Sequence, residues 1–519
     1  ICAAQMSLKN DCAFRKLQES GLKRLAEELF GEPLPSFSAV TNSRHFDELD
    51  ARDKETIRYG AADADFALRL YHAFNDWFER YLPKHRRIVE EIESPTAVYL
   101  GIMKANGIPI DLPLMQKRKA EAEAEMERIR REIEFLIGEV NIGANCSTQA
   151  FKRYLYTDLG LPVLKTTEVG REAADDMTMI FLKEWCDAHR PELSPLFTLV
   201  QEYRKWGKIK STYIDGYLKY INPVTGCLHP DLFALSTDTG RMNSCNPNCQ
   251  NMPRKANDPI GVRNFIQAPD GCLILSLDFS QIELRVGSFY CRDERMLETY
   301  RNGGDIHAQT TSVLFGVSYE EAQDKHSANY KEHRTIAKNV NFGTFYGLFP
   351  RGLQRTLKCK AGIEKSVSEC EEILESLKRG YKGLATWQAE TKAIAAKRMY
   401  SETWLGRRRY LPGIASDDWG KKSFAERCAL NTPIQGTAAD ILKLAITRIL
   451  TGLPEREWLR PILQIHDELT FIIPQDRLSE AVAFVRQCME EKPFPEFDLP
   501  LIAEASAGPT FGTMEEWEE

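Results

Sequence analysis

No stretch of the chain is both long enough and free enough of charge to cross a membrane as a helix, so an integral helical membrane protein is excluded. Basic charge is not in excess either: 68 Lys and Arg stand against 75 Asp and Glu, a formal net charge of −7. That balance excludes a histone-like coat that holds DNA by bulk charge, but leaves room for a local basic groove. The 13 cysteines are scattered singly, as at Cys12, Cys146, Cys291 and Cys428, and Cys245 and Cys249 lack the second pair that would complete a zinc site. A disulfide framework is therefore not expected, and a reducing compartment, the cytoplasm, is. The opening Ile-Cys-Ala-Ala-Gln-Met has no initiator methionine and no basic-then-apolar leader, and reads as a fragment or processed product. Internal repeats and low-complexity tracts are missing as well, which argues against a solenoid or a disordered linker.

What is present is a chain of 519 residues, too long for one ordinary core and long enough for two to four folding units. Its 43% hydrophobic and 28% charged residues are the composition of a globular protein. Apolar residues recur at helical spacing over Leu22–Phe30 and Thr56–Tyr81, with Phe66, Leu70, Phe74 and Trp77 on one stripe. Gly-Ile-Pro-Ile-Asp at Gly107–Asp111 interrupts this pattern. Leu114–Val140 then resumes it as a long, highly charged helix expected to stand away from the main core. After the turn-forming Pro269-Asp270-Gly271, the run Cys272–Phe279 reads as a buried strand ending on Asp278. Pro461–Pro474 reads as two short strands around His466-Asp467-Glu468, a hairpin with carboxylates at its tip. Arg334–Tyr346 and Glu426–Leu450 read as helices between and around these strands.

Aspartates at strand ends suit phosphoryl transfer, because that reaction needs hard oxygen ligands for divalent ions more than it needs covalent help from protein. Taken singly, Asp278 is equally an ordinary turn residue, and His466-Asp467-Glu468 an ordinary acidic surface turn. Arg334, Lys338, Phe342 and Tyr346 fall four residues apart, which predicts one helical face carrying two cations and two aromatics. Cations suit a triphosphate and ring faces suit a base or sugar. The bland alternative is a solvated basic helix with an aromatic seam.

Three blocks carry a resemblance. Asp278-Phe279-Ser280-Gln281-Ile282-Glu283-Leu284-Arg285 resembles the first palm motif of the family A DNA polymerases, the group of bacterial DNA polymerase I. Arg334-Thr335-Ile336-Ala337-Lys338, continuing through Asn341-Phe342-Gly343 to Tyr346-Gly347, resembles the family's nucleotide-binding fingers helix, and Gln464-Ile465-His466-Asp467-Glu468 its last palm motif. The resemblance implies a DNA-directed DNA polymerase that adds deoxynucleotides to a primer 3′-hydroxyl and releases pyrophosphate. It implies two Mg2+ ions, with Mn2+ able to substitute, held by Asp278, Asp467 and the Phe279 carbonyl, and an accessory role for Glu468. Lys338 would donate a proton to pyrophosphate. Arg334, Phe342, Tyr346, Gln281 and His466 would surround the nucleotide, and Glu283 would exclude a ribose 2′-hydroxyl by occupying its space. Glu283 alone reads as a structural ion-pair partner, with Arg285 a candidate. Phe342 in place of the tyrosine of some relatives implies discrimination against dideoxynucleotides.

Further matches concern primer-template DNA. Thr239-Gly240-Arg241 with Asn248, Gln250 and Asn251 resembles the loop at the primer-template junction, and Arg427, Asn431 and Gln435 the family's minor-groove contacts. Tyr203-Arg204, Lys208, Lys210-Ser211-Thr212-Tyr213 and Arg407-Arg408-Arg409 resemble backbone-binding segments. The implied fold is a multidomain α+β right hand, monomeric, with an antiparallel palm sheet and helical fingers and thumb. A partial exonuclease-like domain would occupy about 1–85 and the polymerase domain 86–519, with thumb about 112–200, palm about 201–285 and 425–519, and fingers about 286–424. Departures are His333 before Arg334 where many relatives pair arginines, Met242-Asn243 for Leu-Ser, and Cys249 for leucine. Tyr59-Gly60-Ala61-Ala62-Asp63 resembles the third proofreading motif, but the two earlier acidic motifs are absent, so proofreading is not expected of this chain. Two readings of other classes compete with polymerisation: a nuclease and a silent DNA clamp.

Overall fold

A computed structural model describes residues 21–42, 44–45, 48–167, 169–253 and 258–518. Cys12 and the opening hexapeptide lie outside them. The helices used below are α1 (Lys54–Tyr81), α2 (Ser94–Asn106), α3 (Leu112–Ile137) and α4 (Ser194–Lys208). Strand β1 (Cys272–Phe279) follows, then α5 (Ile282–Cys291), α6 (Ile306–Phe315) and α7 (Tyr330–Thr344). The hairpin β2 (Tyr400–Glu402) and β3 (Arg408–Tyr410) precedes the 34-residue α8 (Trp419–Gly452). The chain closes with β4 (Arg460–Ile465), β5 (Glu468–Pro474), α9 (Leu478–Glu490), β6 (Ala503–Gly508) and β7 (Glu515–Glu516).

One five-stranded sheet, in the order β7-β6-β1-β5-β4 with every pair antiparallel, organises the molecule. Its central strand is apolar on both faces, which is why Cys272–Phe279 reads as a continuous run instead of an alternation. Leu275, Leu277 and Phe279 join Leu469, Phe471, Ala503 and Ala505 in the largest core, packed against α5, α8 and α9. Ile274 and Ile472 face the other way, into a second core with Phe265, Ile462 and Ile465. On that second face the strand changes character toward its end: Ile274 gives way to Ser276 and then Asp278, which is exposed. The sheet leaves its apolar cover there, and the carboxylate stands at the rim.

The charged helix α3 is apart from the largest core, as expected, yet it is not unpacked. Met115, Ala122, Ile129, Ile133 and Ile137 form one buried stripe; the first two enter the second core, and the last three enter a third core with Phe197, Val200 and Tyr203 of α4. Pairs such as Arg130–Glu134 and Arg131–Glu127 occupy its wet faces, where each adds little stability. A fourth, small core gathers Leu25, Leu70, Phe74, Phe78 and Leu82 around α1. The described cysteines are all free thiols.

Candidate active site

The strand order puts the two candidate aspartates side by side. Asp278 is the direct cross-strand partner of Glu468, and the Phe279 N–H donates to the Asp467 carbonyl at 3.3 Å. Neighbouring strands lie about 4.8 Å apart, so residues 190 positions distant in sequence stand at adjoining strand ends. His466 and Asp467 form the two-residue turn between β4 and β5, with His466 at φ 56°, a left-handed conformation that matches the twist of a tight hairpin. Glu468 receives the Ser276 hydroxyl; burial pushes its carboxyl above the ordinary range, Ser276 opposes that, and the adjacent Asp467 charge adds to it.

From Asp278 the chain turns through Gln281, left-handed at φ 56°, straight into α5, which places Glu283 in the first helical turn. The Gln281 amide oxygen accepts from the Tyr300 hydroxyl at 3.1 Å. Both Glu283 carboxylate oxygens are engaged, Oε1 by Arg241 and Oε2 by the Tyr346 hydroxyl. The partner of Glu283 is thus Arg241. The alternative, Arg285, is buried and donates instead to the Ser280 and Pro500 carbonyls. A cavity of about 40 Å³ is lined by Arg241, Gln250, Glu283, Gln464, His466 and Asp467 among others, so residues of the segments around Asp278 and Asp467 share it.

The four-residue stripe on α7 holds for Arg334, Lys338 and Phe342 but not for Tyr346. The helix ends at Thr344, so Tyr346 lies in the turn that follows it, with its hydroxyl on Glu283 and near Gln435. Arg334 pairs with Asp305 at 2.5 Å, and Lys338 and Phe342 are exposed. Sequence reasoning missed Asp305 and His307. His307 lies against Phe342 with ring centroids 6.2 Å apart and feels the charges of Arg334 and Lys338. Burial lowers its pKa to about 4, which keeps the imidazole neutral. Asp305 also caps α6 through the His307 and Ala308 N–H groups; the Asp-Ile-His run at a helix start was the available signal.

Residues 113–513 match the family model described as DNA polymerase family A. The chain belongs to DNA polymerase family A. It is 35% identical to the thermostable DNA polymerase I of Thermus filiformis over 86% of this chain and 50% of that protein. It is 33% identical to DNA polymerase I of Pseudomonas aeruginosa over 87% of this chain and 47% of that one. The chain therefore spans about half the length of the curated relatives it matches. The POL domain of Pol1 from M. smegmatis, solved in complex with DNA primer-template and dNTP, superposes with a TM-score of 0.83 at 25% identity, covering 99% of this chain and 82% of that one. The α+β right-hand fold expected of a family A polymerase is the fold observed, and no described helix is long and apolar enough to cross a membrane.

The family A loop at Thr239–Asn251 lines the same cleft. Gln250 Nε2 donates to Gln464 Oε1 at 2.7 Å, and Asn248 Oδ1 accepts from the Gln250 N–H at 2.9 Å, with Asn248 and Asn251 exposed. Arg427, Asn431 and Gln435 stand at four-residue intervals on one face of α8. Arg427 donates to Ser423 at 2.7 Å, and the buried Asn431 Oδ1 has no partner among the described residues. Lys210 is paired with Asp215 at 2.7 Å and Glu123 at 3.3 Å, whereas Ser211 and Thr212 are exposed. Tyr203, Tyr213 and Arg204 are structural: both tyrosines are buried, and Arg204 clamps the Asn145 and Cys146 carbonyls at 2.9 Å.

The triple arginine needs correction at its first member. Arg407 is buried, with its side chain 7% exposed, and its guanidinium is consumed by Asp440 and Glu93, so it cannot reach a phosphate. Arg407 lies in the hairpin loop before β3, against Asp440 of α8, while Arg408 and Arg409 lie on the strand, and the cluster divides there. Arg408 lies over the Tyr400 ring and beside Glu402, and Arg409 pairs with Asp238 at 2.8 Å.

Proposed function

We propose that this chain is a template-directed DNA polymerase that extends a primer by attack of its 3′-hydroxyl on the α-phosphate of a deoxynucleoside triphosphate, releasing pyrophosphate. The adjacency of Asp278 and Asp467 at the rim of the sheet carries this reading. The donor types fit a pair of hard divalent cations: Asp278 and Asp467 stand at adjoining strand ends, and Phe279, whose carbonyl would be a third oxygen ligand, follows Asp278 and bonds the Asp467 carbonyl through its N–H. Two Mg2+ ions, or Mn2+ in their place, would there neutralise the triphosphate and acidify the primer hydroxyl.

The chain's own residues do the rest. Arg334 and Lys338 offer charged donors to the phosphates, Lys338 returns a proton to the departing pyrophosphate, and neutral His307 contributes an N–H beside them. The exposed Phe342 ring packs on the sugar, favouring deoxynucleotides over dideoxynucleotides, while Gln281 and His466 border the nucleotide. Glu283, fixed by Arg241 and Tyr346, fills the volume a 2′-hydroxyl would need. Arg241, Asn248, Gln250 and Asn251 contact primer and template near their junction, and Arg427, Asn431 and Gln435 test base-pair shape from the minor groove, where acceptors are shared among pairs. Lys210, Ser211, Thr212, Arg408 and Arg409 hold the sugar-phosphate backbone. We assign the thumb to about 112–200, the palm to 201–285 and 425–519, the fingers to 286–424 and an exonuclease-like remnant to 1–85, in a cytoplasmic monomer. Tyr59 is occupied by Lys23 at 2.9 Å, and with one acidic motif of three this chain does not proofread.

A primer-extension gel tests this reading. With Mg2+ and all four deoxynucleotides the product lengthens, and without nucleotides the primer is not trimmed. Asp278→Ala and Asp467→Ala each abolish extension while duplex affinity stays within about threefold, since neither side chain is a phosphate anchor. Full extension by either variant defeats the metal assignment, and shortening of the primer favours the nuclease.

A further inference from the structure

Three consecutive residues of the loop ahead of Arg241 are pinned from outside it. Asp238 is held by Arg409 Nη2 at 2.8 Å. The Thr239 carbonyl lies over Gly436 of α8, 3.2 Å from where a Cβ on that glycine would stand. Gly240 lies flat against the Arg407 guanidinium: a Cβ there would sit 2.7 Å from Arg407 Nε and 2.9 Å from its Cζ, and φ is 81°. Only glycine admits so close an approach in that conformation. Arg407 itself is buried and anchored, donating from Nε to Asp440 Oδ1 at 3.0 Å, from Nη2 to the same oxygen at 2.7 Å, and to Glu93. The next residue after this anchored stretch is Arg241, whose guanidinium holds Glu283 Oε1. Thr237 Oγ1 donates back to the Arg241 carbonyl at 3.0 Å and closes the loop.

We propose that Arg407 and Arg409 are positioning residues for sugar selection. Two arginines of the β2–β3 hairpin clasp the 237–241 loop, fix the reach of Arg241, and through it hold the Glu283 carboxylate where it meets the nucleotide 2′ position. The inference rests on the reading of Glu283 as the ribose gate. A carboxylate tethered at one oxygen by Tyr346 alone can rotate about that tether. A second tether from a rigid loop removes the rotation, and an exclusion device discriminates only as far as it is held still.

The test is the ratio of deoxynucleotide to ribonucleotide kcat/KM in the whole chain, for wild type, Arg407→Lys, Asp238→Asn and Glu283→Ala, and for Arg407→Lys combined with Glu283→Ala. Asp238 is largely exposed, so Asp238→Asn releases Arg409 without disturbing the core. Arg407→Lys is expected to lower discrimination about tenfold and Asp238→Asn about threefold. Adding Arg407→Lys to Glu283→Ala is expected to lower it no further, because both act on one gate. A purely structural role for these arginines would lower thermal stability and leave the ratio unchanged. Unchanged ratios in Arg407→Lys and Asp238→Asn while Glu283→Ala loses discrimination overturn the positioning role alone. Should Arg407→Lys not fold, Asp238→Asn decides. Wild-type discrimination by Glu283→Ala overturns the gate reading itself.

Discussion

Thr310 and Asn341 settle which nitrogen of His307 carries its proton. The Thr310 hydroxyl donates to Asn341 Oδ1 at 2.8 Å, so the amide NH2 faces His307 Nδ1 at 2.9 Å and donates to it. Nδ1 is an acceptor, and the ring proton sits on Nε2. Burial moves the pKa of this imidazole from 6.5 to about 4, with Arg334 and Lys338 adding to the shift and Asp305 opposing it. The sign follows from linkage. Between those values the unfolded chain binds a proton that the folded chain refuses, so the stability from a neutral His307 is complete above pH 6.5 and is lost as pH falls toward 4. Going from roughly pH 7 to pH 5, His307 alone should cost on the order of 2 kcal/mol. In His307→Gln, which keeps an acceptor for Asn341, the drop in urea midpoint over the same interval should be smaller by a corresponding amount. Identical pH slopes for the two proteins would show that folding leaves the His307 pKa unshifted.

At the level of elements, β1 and the β4–β5 hairpin were legible because their signals are local and agree: an apolar run long enough for a strand, a turn dipeptide before it, and a polar pair between two β-rich arms. Their adjacency was not legible, since no spacing in the chain encodes which strand lies beside which. The α7 stripe was legible as far as the helix lasts; the period fails at Tyr346 because α7 ends two residues before it, in a turn that a count by fours ignores. His307 escaped notice for a related reason, its neighbours Phe342 and Asn341 being supplied by a different helix. Leu277 tests the strand assignment. It is fully buried between its register partners Leu469 and Ala505, one residue before Asp278. Leu277→Ala leaves a cavity the sheet cannot close and should lower unfolding free energy by about 2–5 kcal/mol. A loss below about 1 kcal/mol in a urea melt would mean that this side chain is not in the core.

Across the whole molecule, one buried network ties together segments that the sequence keeps far apart. Lys443 of α8, fully buried, donates to both Glu93 oxygens at 2.8 and 2.9 Å, across 350 residues, and to the Ala234 carbonyl at 2.8 Å. Glu93 also takes Arg407, Arg407 takes Asp440, and Asp440 accepts from the Thr403 hydroxyl at 2.8 Å. Arg407 reads as a surface charge in a basic triplet because its two acidic partners are more than 30 residues away on either side; composition alone cannot distinguish it from Arg408. Two cations and two anions balance, so the network is neutral and its charges are compensated although each is out of water. Burial lowers the Lys443 pKa to about 8, against the pull of Glu93. Removing one member therefore does more harm than removing two of opposite sign. Lys443→Met leaves Arg407 as the one cation for both Glu93 and Asp440, an uncompensated buried negative charge, and should cost about 3–5 kcal/mol. Lys443→Met with Glu93→Gln restores neutrality and should recover at least about half of that loss, because the unpaired charge, and not the missing hydrogen bonds, dominates the penalty. Thermal melts of the two variants and their combination separate the terms. If the losses of Lys443→Met and Glu93→Gln simply add, the four residues do not behave as one electrostatic unit.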